Sequence, residues 1–229
     1  MDSHAVLEQF KSKLKEYTRL SACQEEFVLV EKLQAWLRSP LTQSGDDTHA
    51  DRLLNRVAYS QLDLRSQPIY PDRFRPSSGC CLLVFCILLQ IGRGNLIDTF
   101  TKKDKVDKAL PLKRDDIQSI FEAAKGCDED LVTQFLEQQY RFCPARFDLH
   151  MTREWDRQVV IPLHSKVPIK EGGTASLWHI DVSEEFVGQS LREVASKSRF
   201  DANRGNTEEP DWVRHSLAPM TTLRVPVAF

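Results

Sequence analysis

The segment with the clearest capacity for chemistry is IKEGGTASLW, residues 169–178. Two glycines between strand-forming runs let the backbone approach an anion and offer its N–H groups as donors. A tight hairpin turn needs the same two glycines, and the flanking pattern favours that reading. Val167 and Ile169 lead in, and Leu177, Ile180 and Val182 emerge at strand spacing. Phosphate contact stays open beside it. The segment is not a P-loop, because no Lys-Ser/Thr follows the glycines into a helix. It is not a dinucleotide fingerprint either, since no strand-turn-helix unit surrounds it.

Other chemical constellations are weaker. His49, His150, His164, His179 and His215 are scattered, with no metal-ligand spacing to cysteine or carboxylate. Cys80 and Cys81 are adjacent, which does not suit a zinc knuckle. Cys143 has His150 nearby in sequence as a conceivable base, but a Cys-Pro at a helix end reads as structural. The stretch EEFVGQSLREVASKSRF predicts a charged helix from Glu184 to about Phe200. Its apolar residues Phe186, Val187, Leu191 and Val194 would dock a partner or pack on the chain's own sheet, and the second is favoured.

These groups need positioning elements. Helical spacing of Val6, Leu7, Phe10, Leu14, Tyr17 and Leu20 predicts a helix over Ser3 to Leu20, with Asp2 or Ser3 as N-cap. A second is expected over Glu25 to Leu37 and a shorter third over Asp47 to Tyr59. The proline-rich RSQPIYPDRFRPSSG reads as a connector. It leads into the run Cys80 to Ile91, CCLLVFCILLQI, expected as a buried helix closed by Arg93 and Gly94. TKKDKVDKALP reads as a solvated loop with a turn at Leu110-Pro111. Helices capped by Asp115 or Asp116 and starting at Asp128 follow, the first ending at Gly126 and the second carrying Leu131, Val132, Phe135, Leu136 and Tyr140 on its apolar face. After Cys143-Pro144 the period changes to short β-type runs, ARFDL, RQVVIPLHS and VPIKEGGTASLWHIDV. The last twenty residues, with three prolines, are expected to be irregular. The fold class expected is α+β, a helical region over 1–142 and a small antiparallel sheet region over 143–229.

Composition bounds the partners. With 31 Lys+Arg against 33 Asp+Glu over 229 residues, the net charge of -2 gives no basic excess for nucleic acid. The charged N-terminus lacks the apolar core of a secretory signal. The six cysteines lack the spacing of a disulfide framework and read as free thiols of a cytoplasmic protein. The apolar run at Cys80 falls short of the roughly 18–20 residues that a membrane span requires, so no membrane role is expected.

Taken in order, CLLVFCILLQIGRGNLIDTF, VDKALPL, CPARFDL and VVIPLHSKVPIKEGGTASLWHIDVSEEFVG resemble the N-terminal region of filamentous-fungal proteins that carry a protein kinase domain, from about Cys80 to Phe200. The resemblance implies that the glycine hairpin corresponds to the first two strands of a kinase small lobe, with weak nucleotide contact at Gly172, Gly173, Thr174, Ala175 and Leu177. Against the pattern G-x-G-x-x-G-x-V, the glycine positions fall on Lys170, Gly172 and Ala175, and the valine on Leu177, so one glycine of three is kept. The strand lysine, H-R-D and D-F-G that phosphoryl transfer needs are not in the chain, and no lysine follows Lys197. WVRHSLAPMTTLRVPVAF does not resemble the family's continuation. The expectation is a non-catalytic interaction or regulatory protein, a truncated kinase-related product with an unidentified protein partner, no metal and no cofactor, ATP being the one that the resemblance leaves open. The alternatives are the leading fragment of a kinase and an accessory protein of a fungal biosynthetic gene cluster.

Overall fold

The computed structural model describes residues 2–42, 47–58, 74–77, 79–124, 129–148, 156–171, 176–193 and 222–228. The fold is α+β and mostly helical. Met1–Arg19 with Phe27–Cys143 form one compact unit, and Leu20–Glu26 with Pro144–Phe229 form the other.

The first unit opens with α1 (Ser3–Tyr17), which buries Val6, Phe10 and Leu14 along one face. Helix formation stops three residues short of the expected end. Thr18–Leu20 (β1) and Glu26–Val28 (β2) instead pair as a two-stranded sheet. The helix expected from Glu25 therefore begins later, as α2 (Val30–Arg38), with Leu33 and Leu37 buried. In the hairpin tip the Ser21 hydroxyl accepts from the N–H groups of Cys23 and Glu25 at 3.1 and 3.2 Å, closing a turn in which Gln24 takes φ 65. Thr48 starts α3 (His49–Leu53) with a reciprocal capping box to Asp51. The backbone then widens into a π-helical turn over Leu54–Ala58.

The apolar run becomes α4 (Leu82–Gln90), with Leu82, Val84, Phe85, Cys86, Ile87, Leu88 and Leu89 all buried. Burying each such side chain contributes about 1.5–3 kcal/mol, so this short helix is the centre of the core. It ends at the Ile91 C-cap, where the run was expected to end, and Arg93 takes part in the closure, but the closing glycine is Gly92 and not Gly94. Gly92 adopts φ 68, its N–H bonds to Leu89 C=O at 3.2 Å, and Arg93 N–H bonds to Leu88 C=O at 2.8 Å. This is a Schellman closure, and only the glycine takes that φ without strain. No helix among the described residues is long and apolar enough to cross a membrane. A 3-10 turn and α5 (Ile97–Lys102) follow, then α6 (Arg114–Ala123) and α7 (Glu129–Phe142). Asp115 and Asp116 lie in the first turn of α6 rather than at its N-cap, which is Lys113. Phe100, Phe121 and Phe135 from these three helices meet with ring centroids 5.3–6.3 Å apart. Gly126, Cys127 and Asp128 lie outside the described residues, as does most of the proline-rich connector.

The lysine-rich segment is not simply a solvated loop. Val106 is fully buried and Asp107–Ala109 forms a 3-10 turn before a cis Leu110-Pro111 bond. Asp107 Oδ1 accepts from Leu83 and Val84 N–H at 2.9 and 3.0 Å, and Asp107 N–H donates to Cys80 C=O at 2.9 Å. A carboxylate from a separate segment thus satisfies the first-turn donors that an apolar sequence cannot cap for itself. Its Oδ2 is buried with no hydrogen-bond partner among the described residues. Nearby, Gln139 of α7 is fully buried and pairs twice with one residue, accepting from Leu112 N–H at 2.8 Å and donating to Leu112 C=O at 3.0 Å. That amide replaces a strand partner for the chain leaving the cis bond, and an apolar replacement would strand two buried groups at about 1–3 kcal/mol each.

The second unit holds an antiparallel sheet ordered β3 (Leu163–Glu171), β4 (Ser176–Ser183) and β5 (Thr222–Ala228). The strand expected at ARFDL reduces to one parallel bridge, Phe147 with Val187, and RQVVIPLHS turns extended only from Leu163. Instead of a continuous helix from Glu184, Glu184–Phe186 is a 3-10 turn and helix resumes over 189–193. Gly188 lies between them, where an added Cβ would come within 2.8 Å of the Asp148 carboxyl carbon and would have to displace that side chain. The irregular ending is corrected as well: β5 pairs with β4 from Ser183↔Thr222 to Leu177↔Ala228, and Pro226 stands opposite His179. An edge strand tolerates that proline because one side of it carries no ladder bonds.

Burial pushes the Asp107 carboxyl above its ordinary value, against the pull of the Val84 and Leu83 N–H groups and the Cys80 thiol. A raised folded-state value means that the favourable contribution is present at low pH and fades as pH rises from the ordinary carboxylate range through the raised one. Asp107→Ala is expected to lower stability by about 1–2 kcal/mol. Asp107→Asn, which keeps one oxygen toward Leu83 and Val84, should cost less and flatten the pH dependence in that window. Urea unfolding of the three proteins between pH 4 and 8 checks both.

Candidate functional site

The glycine hairpin is the element that the sequence singles out, and its frame is well defined. β3 and β4 pair antiparallel from Leu163↔Val182 to Glu171↔Ser176, so residues 172–175 connect the strands. Gly172, Gly173, Thr174 and Ala175 themselves lie outside the described residues. Leu177 is in β4, where it stands opposite Lys170 of β3 and Ala228 of β5. β4 is thus the central strand, flanked by β3 and β5.

Two register shifts, between Leu163 and Ser165 and between Pro168 and Lys170, bend β3. A bulge places an extra residue against one partner and re-aims side chains. At the first shift His164 Nε2 lies 2.6 Å from Ser183 Oγ, and Ser165 Oγ donates to Asp181 Oδ2. Leu163, Ile180 and Val182 are buried while these four polar residues are half-buried. The sequence gives no sign of this gathering, because strict alternation would send His164 and Ser165 to opposite faces. The His164–Ser183 contact has the length of a base–hydroxyl pair. The contact ties the two strands together at the base of the hairpin.

In the described part of the charged segment after β4, the first apolar residues turn inward. Phe186 and Val187 are buried, Phe147 N–H donates to Phe186 C=O at 2.7 Å, and Gly188 N–H donates to Phe147 C=O at 2.6 Å. Arg192 closes the turn by donating to Val187 C=O at 2.8 Å and Glu184 C=O at 2.6 Å. Leu191 is half-buried, and Val194 lies outside the described residues.

The cysteines are free thiols where described. Burial, with Asp107 adding to it, pushes the Cys143 thiol up to about 12, which suits a packing role and not a nucleophile. Its conceivable base, His150, lies outside the described residues. Cys80 is raised by burial and by Asp107, although Arg38 Nη2 donates to its sulfur at 3.6 Å, and Cys86 is raised by burial. Among the described residues no group of three or more His, Cys, Asp and Glu side chains is arranged to hold a metal ion.

Alkylation separates these thiols. At pH 8 a thiol with a value near 12 is ionised to about one part in ten thousand. Iodoacetamide should therefore label exposed Cys23 and leave Cys80, Cys81, Cys86 and Cys143 unmodified until denaturant is added, as peptide mass spectrometry will record. Labelling of Cys143 in the folded protein at the rate of Cys23 contradicts this account of its environment.

No protein-family model matches the chain, and neither the curated proteins nor the solved structures contain a match to it.

Proposed function

We propose that this chain is a non-catalytic interaction or regulatory protein related to protein kinases. In this reading it is cytoplasmic, binds a protein partner rather than nucleic acid, and uses no cofactor. The observation that carries the reading is the sheet: among the described residues β3, β4 and β5 lie side by side in chain order, antiparallel, and Gly172-Gly173 fall in sequence between the first two. A kinase small lobe begins in that way, and the sequence resemblance over the same residues points in the same direction. Phosphoryl transfer depends on positioning and charge stabilisation by the strand lysine, the catalytic-loop aspartate and the metal-binding aspartate. The chain contains neither H-R-D nor D-F-G, so its own residues supply none of the catalytic-loop and metal-binding groups.

A second reading, the leading fragment of a kinase, is favoured by one observation. Val227 and Ala228 close β5 and coincide with the first two positions of the V-A-I-K pattern of the small lobe's third strand, while Phe229 stands in place of its isoleucine.

Two measurements divide these readings. The purified 229-residue protein with Mg-ATP and a generic acceptor protein is expected to transfer no phosphate and to show no rise in Tm, because only a ligand that binds the folded state raises it. Turnover that disappears in Gly172→Pro overturns the non-catalytic reading. Sequencing of the full transcript past the Phe229 codon is expected, under the second reading, to continue in frame through a lysine to H-R-D and D-F-G. A stop codon at that point removes the fragment reading.

A further inference from the structure

We draw no further inference here: the strongest candidate, the half-buried cluster of His164, Ser165, Asp181 and Ser183 at the base of the β3–β4 hairpin, belongs to the site already described, where its contacts tie the two strands together.

Discussion

The fold of the helical unit depends on satisfying the N-terminus of a helix whose own sequence has nothing to satisfy it with. Leu82–Gln90 is apolar on every face, so it belongs in the centre of a core, but there its first N–H groups have neither water nor a local side chain. Asp107 resolves this from twenty-four residues away in sequence to Leu83. Its carboxylate is costly to bury, and two N–H donors and the positive end of the helix offset part of that cost. The reciprocal bond from Asp107 N–H to Cys80 C=O ties the 3-10 turn to the residue that precedes the helix. The loop thus has to lie where it does, and the cis bond and Gln139 pairing follow from holding it there.

The sheet unit solves a different problem. A three-stranded sheet has two edges, and its central strand must carry buried residues while the edges resist further pairing. Ile180 and Val182 are buried on β4. Prolines fall at Pro168 in β3 and Pro226 in β5, both edge strands in the observed order. The bulge at His164 bends β3 and gathers the polar pairs at the base of the hairpin.

How much of this was legible follows from which residues carry more than one meaning. The apolar run at Cys80 and the faces of α1, α6 and α7 were legible, because helical periodicity over several turns has few other readings. Thr18–Val28 was not: Leu20, Phe27 and Val28 fit a helical stripe and a short strand equally well, and the turn at Ser21–Glu25 lacks glycine or proline to mark it. Asp107 was hidden among lysines in a segment that reads as solvated, and Gln139 occupies a face that the sequence assigns to leucine and phenylalanine. The ending Thr222–Ala228 was masked by its proline content, since proline argues against a strand in general but not against an edge strand. The hairpin at Gly172 was visible because two glycines between β-branched runs announce a turn. The His164–Ser183 pair was invisible because a bulge breaks the alternation on which such a reading relies.

The contrast between Asp107 and His49 shows why the same rule gives opposite roles to two charged sites. Asp107 stands in the core, where an unmatched charge is heavily penalised, and its neighbours are fixed N–H dipoles aimed at one oxygen. Everything around it is arranged to hold that group, so it is a support of the fold. His49 stands at the surface of the same unit, where its neighbouring charges, Arg52 and Lys13, have the same sign as its own protonated form. A fold gains nothing from setting like charges beside one another, and at half-burial the loss is small enough to be retained. The interior therefore completes its electrostatics within the chain. At the surface partial burial and, after it, the like-charged neighbours lower the His49 value at small cost, because water shares the charge there.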